Sequence, residues 1–177
     1  RLTARHRRAV VELGSNHPGE IRYLASLVEP TVAVITNVGP AHLEFLGSIR
    51  GVMEEKLSLV DTLPSAGCVV LPGDQLDVCL EAARRVRPGV RIVTFGTTDR
   101  CDIQALEIQR SDEGLTMRLR DQLGQWVVPL IGSHNAENAL AAVACAWALG
   151  VPLSTIKEQL SSVEPIPLRS QLIRCQR

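Results

Sequence analysis

The sequence predicts an α/β fold, a mainly parallel sheet with flanking helices plus a small antiparallel sheet, and three features carry that expectation. Val32-Ala33-Val34-Ile35 is an unbroken apolar run that stops at Thr36-Asn37 and the breaker Gly39-Pro40, as expected of a strand covered on both faces. Further apolar runs at 67–71 and 91–95 are separated by helix-periodic segments, the spacing of strand-helix-strand units with right-handed crossovers. From about residue 101 to 131 the texture changes, and Leu115, Met117 and Leu119 alternate with Thr116, Arg118 and Arg120. That period of two marks half-buried antiparallel strands.

Taken in order, residues 9–13 are expected as a short first strand that leads through Gly14-Ser15-Asn16-His17 into a helix from about Pro18 to Val28. Proline suits a first helical turn, Glu20 follows where the dipole favours an anion, and Ile21, Leu24, Ala25 and Val28 recur at helical spacing. With strand 32–37 this makes a crossover that brings Leu13–His17 and Asn37–Glu44 to one edge of the sheet, where ligands of open α/β sheets collect.

The next helix is expected from Ser48, an N-cap, to about Leu63, with Ile49, Val52, Met53, Leu57, Val60 and Leu63 as its apolar face. Lys56 falls on that face. Either its stem snorkels and the ammonium pairs with a surface carboxylate such as Glu55 or Asp61, or burial lowers its pKa and makes it nucleophilic or modifiable.

Strand 67–71, the turn Pro72-Gly73-Asp74, a helix over 76–86 and strand 91–95 form a second unit. Beyond the alternating strand, Asp121-Gln122-Leu123-Gly124 turns the chain, and Trp126, Val128 and Leu130 alternate again. Gly132-Ser133-His134-Asn135-Ala136-Glu137-Asn138 then opens an alanine-rich helix that ends at Gly150. Ser133 is the expected cap, while Asn135 and Asn138 either face one ligand together or serve as ordinary capping groups. A shorter helix over 154–162 precedes Glu164-Pro165-Ile166-Pro167-Leu168-Arg169, where proline spacing predicts an extended exit.

At 177 residues, 45% apolar and 21% charged, the length favours one domain over 1–177. Nineteen basic and nineteen acidic residues cancel, which offers no general attraction to nucleic acid, and aromatics at 3% argue against a base-stacking platform. The longest membrane candidate, Ala139–Leu149, is about half the length needed for insertion. Five scattered cysteines without metal spacing suit a reducing cytoplasm. Neither a G-x-x-x-x-G-K-[ST] phosphate loop nor a GxGxxG fingerprint is present, and the chain reads as cut from something longer.

The ordered set Glu12-Leu13-Gly14-Ser15-Asn16-His17-Pro18-Gly19-Glu20-Ile21, Thr36-Asn37, Ala41-His42-Leu43-Glu44, Lys56, Gly132 to Asn138, and Arg169 resembles the central, ATP-binding domain of the Mur ligases of peptidoglycan synthesis. The resemblance runs over essentially the whole chain. Within the family the first motif is most similar to the branch that joins D-alanyl-D-alanine to UDP-N-acetylmuramoyl-tripeptide. It implies a P-loop-like domain lacking its upstream phosphate loop, with the N- and C-terminal domains of the same chain as partners. The implied chemistry is ATP-dependent amide formation through an acyl phosphate, with ATP and Mg²⁺ as cofactors.

By that resemblance Glu12 would hold magnesium on the β- and γ-phosphates, and His42 a second magnesium near the acceptor carboxylate. Lys56 would be carbamylated, as a third metal-proximal group. His134, Asn135 and Asn138 match an adenine-binding segment and Arg169 a phosphate-contacting arginine. Asn37 would line the ATP site, and Asn16 and His17 the acceptor substrate. The chain departs from the pattern at Leu57-Ser58, where relatives often carry Gly-Glu, and at Leu168, where a glycine is usual. The competing expectations are another Mur ligase, a folylpolyglutamate synthase-like ligase, or a non-catalytic nucleotide-binding module.

Overall fold

In the computed structural model, residues 3–122 and 124–164 are described. Arg169, Cys175 and the extended exit after Glu164 lie outside them. Six strands form one sheet in the order β1-β2-β3-β4-β5-β6: β1 (Val32–Val34), β2 (Cys68–Pro72), β3 (Arg91–Gly96), β4 (Ile103–Ser111), β5 (Gly114–Leu119) and β6 (Trp126–Val128). The first four run parallel, with Val34 opposite Val70 and Val70 opposite Val93. Strands β4, β5 and β6 are antiparallel.

The antiparallel part is continuous with the parallel one rather than a separate flanking sheet. β4 belongs to both, because its start pairs parallel with Phe95-Gly96 and its remainder pairs with β5 beyond an irregularity at Ala105/Glu107. A bulge of that kind twists a strand and lets one strand serve two pairing modes.

β2 is buried along its whole length, as its unbroken apolar run requires. Cys68 and Val70 face a core completed by α5 (His134–Ala148) and α6 (Leu153–Ser161). Val69 and Leu71 face a second core with α3 (Ile49–Leu57), the 3₁₀ turn Val60–Thr62 and α4 (Leu76–Arg85). Leu115, Met117, Leu119, Trp126 and Val128 are all buried, so the alternation was a true inward face.

Residues 9–13 form no strand, contrary to expectation. Their backbone pairs with no strand, β1 is hydrogen-bonded to β2 alone among the described strands, and Val10 is fully exposed; a segment without a partner strand has no ladder to hold it extended. The expected crossover through 9–37 is therefore not formed. The helix of that unit is α1 (Glu20–Val28), begun by Gly19 at φ 90°. β1 ends at Val34, although the Ile35 N–H still donates to Val70 O at 3.0 Å.

The helix expected over 48–63 breaks after Leu57. There the Ser58 hydroxyl bonds back to Glu55 O at 2.6 Å, competition for a carbonyl that bends helices. A short helix, α2 (Leu43–Leu46), was not anticipated. It packs on α3 so closely that a Cβ at Gly51 would overlap Leu46 O. Gly→Ala in a helix normally gains up to about 1 kcal/mol. Gly51→Ala is expected to do the reverse and cost about 1–3 kcal/mol, the scale of overpacking, as a lowered urea midpoint. A raised midpoint would remove the α2–α3 contact from the account.

Candidate functional site

Three parallel strands end at one side of the sheet and open a cavity of about 480 Å³ there. Thr36 and Asn37 after β1, Asp74 and Gln75 after β2, and Thr97 after β3 line it, with Ser133, His134 and Glu137 of the α5 N-terminus and Arg110 of β4 closing the sides. The positive end of the α5 helix dipole makes such a mouth favourable to anions, with Asn135 N and Ala136 N already bonded to Gly132 O and Ser133 O. Asn37 and His134, nearly a hundred residues apart in sequence, thus share one cavity.

Within the α5 segment the three candidate side chains divide. His134 lines the cavity, whereas Asn135 is buried, donates from Nδ2 to Ile131 O at 2.7 Å and accepts from Asn138 Nδ2 at 3.4 Å. Ser133 is not the cap that its position suggested. Its backbone is already helical and its hydroxyl makes no capping bond, whereas a capping serine needs extended backbone to reach the turn.

Lys56 is half-buried on α3 and donates from Nζ to Asn37 O at 2.7 Å. Burial lowers its pKa from the ordinary lysine value because the charged form loses hydration. The carboxylates offered as ion-pair partners are engaged elsewhere. Asp61 pairs with Arg22, and Glu55, itself buried, accepts from Ser15 Oγ at 2.8 Å, Gly19 N at 2.7 Å and Ile21 N at 2.8 Å. Snorkelling to a surface carboxylate is therefore not what this lysine does.

Glu55 also brings the 15–21 segment onto α3, one residue from Lys56. Glu20 then accepts from Asn16 N at 2.7 Å and His17 N at 2.9 Å, with His17 Nδ1 3.4 Å away. Those His17 and Asn16 N–H groups hold its carboxyl below the usual range. The His17 ring sits 4.3 Å from that of Phe45 in α2, and α2 begins at His42, whose backbone is left-handed at φ 51°. So the loops at 15–17 and 37–45 do converge, through Glu55 and Phe45 rather than through a shared sheet edge.

Glu12 is exposed on the irregular 9–13 segment and His42 is exposed at the start of α2. Neither stands at a strand end. No three His, Cys, Asp or Glu side chains come together as a metal-holding group among the described residues.

The roles of three polar residues of the site were not read from the sequence: Glu55 was expected only as a surface carboxylate, and Asp74 and Gln75 were given no role. Glu55 lies three residues after Val52, a helical spacing that placed it at the border of the apolar face and could have flagged its burial. Asp74 accepts from Thr97 N and Oγ1 and from Thr98 N, and Gln75 bonds both backbone groups of Val38. No local pattern announces those long-range pairings.

A family model described as the Mur ligase middle domain matches residues 1–146. UDP-N-acetylmuramoyl-tripeptide--D-alanyl-D-alanine ligase of Bacillus subtilis is 31% identical over 166 residues, 94% of this chain and 35% of the relative. The enzyme of the same name from Haemophilus influenzae is 36% identical over 93% of this chain and 36% of its own length. Among solved structures, MurF from Acinetobacter baumannii superposes with a TM-score of 0.86 at 31% identity, covering 98% of this chain and 38% of that one. MurF from Thermotoga maritima, solved in complex with ADP, shares the fold with a TM-score of 0.72 at 23% identity over 88% of this chain and 35% of its own. The chain spans little more than a third of the length of these relatives.

Proposed function

The chain belongs to the Mur ligase family, and from that premise we propose that it is the central part of an ATP-dependent ligase that joins D-alanyl-D-alanine to UDP-N-acetylmuramoyl-tripeptide in the cytoplasm. The observation that carries this reading is the 2.7 Å bond from Lys56 Nζ to Asn37 O. It ties the half-buried lysine to the lip of the cavity that also contains His134, so an acceptor carboxylate at Lys56 and a nucleotide in the cavity would be neighbours.

The cavity fits ATP in its placement at strand ends, its polar lining and the α5 N-terminus at its mouth. ATP supplies, when bound, the phosphoryl group that activates the acceptor carboxylate for attack by an amine. The chain's part is positioning and charge neutralisation. His134 would face the adenine, with the bonded Asn135–Asn138 pair beside it in the same helical turn, Asn37 would orient the phosphates, and Arg169, outside the described residues, would add a cation there. Asn16 and His17, held in place by Glu20, would bound the acceptor.

Magnesium takes one or two protein ligands and completes its octahedron with water and phosphate oxygens. Glu12, an exposed carboxylate, fits that habit without a preformed cluster, and His42, also exposed, would add an imidazole nitrogen, a less usual magnesium ligand than oxygen. Lys56, with its lowered pKa, suits reaction with carbon dioxide, which would turn an amine into a carboxylate-like group at the Asn37 lip of the cavity.

The test is a coupled assay on the full-length enzyme. Equal amounts of ADP, phosphate and pentapeptide product should form, and only when both substrates are present. ATP consumption that ignores either substrate would reject the reading, and the isolated 177-residue chain is expected to show no turnover. In the full-length enzyme, Glu12→Ala and His42→Ala should each lower ligation by about 10²-fold or more, the scale of losing a charge-stabilising group, and raise the magnesium needed for half-maximal rate. Because both side chains are exposed, thermal unfolding should stay within about 0.5 kcal/mol of wild type. An unaltered magnesium titration in either variant would remove that residue from the metal site.

A further inference from the structure

The turn between β2 and α4 holds both walls of the cavity by side-chain bonds. On one side Gln75 Oε1 accepts from Val38 N and Gln75 Nε2 donates to Val38 O, both at 2.8 Å. That fixes the residue after Asn37, whose carbonyl in turn receives Lys56. On the other side the Asp74 carboxylate accepts from Thr97 N at 2.8 Å, Thr97 Oγ1 at 2.9 Å and Thr98 N at 2.9 Å, which fixes the segment after β3. The turn itself has no play. A Cβ at Gly73 would lie 2.5 Å from Cys101 Sγ, and one at Gly96 would lie 2.6 Å from the Asp74 carboxylate.

We propose that Asp74 and Gln75 are positioning residues for the nucleotide, setting the width of the cavity by holding its two walls against one turn. Neither has to touch the ligand for this. Two neutral-backbone segments from different crossovers have no mutual hydrogen bonds to keep their separation, so a carboxylate and an amide on a rigid turn supply them. Asp74 and Gln75 also line a second groove, of about 710 Å³ between α3 and α4, which places the turn as the partition between the two spaces. The inference rests on the cavity being the nucleotide site.

Asp74→Asn in the full-length enzyme tests it, because an amide nitrogen there would face N–H donors and could not accept from them. KM for ATP and Kd for ADP by calorimetry should rise about tenfold, with kcat and KM for the tripeptide substrate within twofold. Gly96→Ala, which leaves the carboxylate intact but pushes the same wall away, should show the same split. The double variant should be no worse than the poorer single one, since both act on one contact. Unchanged nucleotide affinity in either folded variant, additive losses in the double, or equal losses in every parameter would overturn the inference. Should Asp74→Asn not fold, Gly96→Ala decides alone. A wild-type enzyme that binds ADP but forms no amide would sink the proposed ligase reaction instead, and the ADP affinities would still decide the role of Asp74.

Discussion

Lys56→Ala in the full-length enzyme is expected to reduce amide-bond formation by at least about 10²-fold, the usual cost of deleting one preorganised charge-stabilising group, and to recover part of it with added formate or acetate. An exposed lysine has a pKa near 10.4 and is almost entirely protonated at neutral pH, so it hardly reacts with carbon dioxide. Lys56 is different because burial lowers its pKa, and only the neutral amine adds to carbon dioxide, releasing a proton as the carbamate forms. A small carboxylic acid diffusing into the space left by alanine offers the same anionic oxygens without the covalent stem.

The sign of the accompanying pH effect follows. Below its lowered folded-state pKa the buried ammonium is a net cost to the fold. Between that pKa and about 10.4 the unfolded chain binds more protons than the folded one, so stability rises with pH through that window and should do so less in Lys56→Met. Lys56→Arg, always charged, should be inactive and not rescued. An alanine variant that ligates at the wild-type rate would reduce Lys56 to a helix residue that happens to bond Asn37.

What could be read from the chain depended on how local its cause was. β2 was legible because five consecutive residues are buried on both faces, and β5 because its inward face repeats every second residue. α5 announced itself through Gly132 and Gly150. Residues 9–13 looked like a strand by composition, but strand formation is decided by a partner, and none of the described strands supplies one. The position of Lys56 on an apolar face was visible in its spacing, whereas its actual acceptor, a backbone carbonyl at Asn37, was not, since no side-chain pattern encodes it. Glu55 was named as a surface partner for that lysine and is instead buried with three donors of its own. Such residues are read wrongly because their partners lie more than thirty positions away.

That hub is where the largest loss of stability is expected. Gly19 N and Ile21 N belong to the first turn of α1, whose N–H groups have no partner within the helix, and Gly19 supplies no side-chain cap. Glu55 therefore caps α1 from another helix, while Ser15 adds the third bond. Removing the carboxylate by Glu55→Ala strands the buried Ile21 N–H and takes the acceptor from the less buried Ser15 and Gly19; with bonds to a charged acceptor counting about 1.5–3 kcal/mol each, a loss of about 3–5 kcal/mol is expected. For a chain of this size that is roughly 10 °C in melting temperature. Glu55→Gln keeps one acceptor oxygen but turns an NH₂ towards a donor, so it should fall between alanine and wild type, and Ser15→Ala should cost only about 1 kcal/mol. Function should follow the same order, because freeing residues 15–19 from α3 also frees Asn16 and His17. KM for the acceptor should rise more than KM for ATP, the opposite of the pattern expected at Asp74. A Glu55→Ala protein that melts within about 2 °C of wild type would show that water satisfies these donors and that α1 is held by the burial of Ile21 and Ala25 alone.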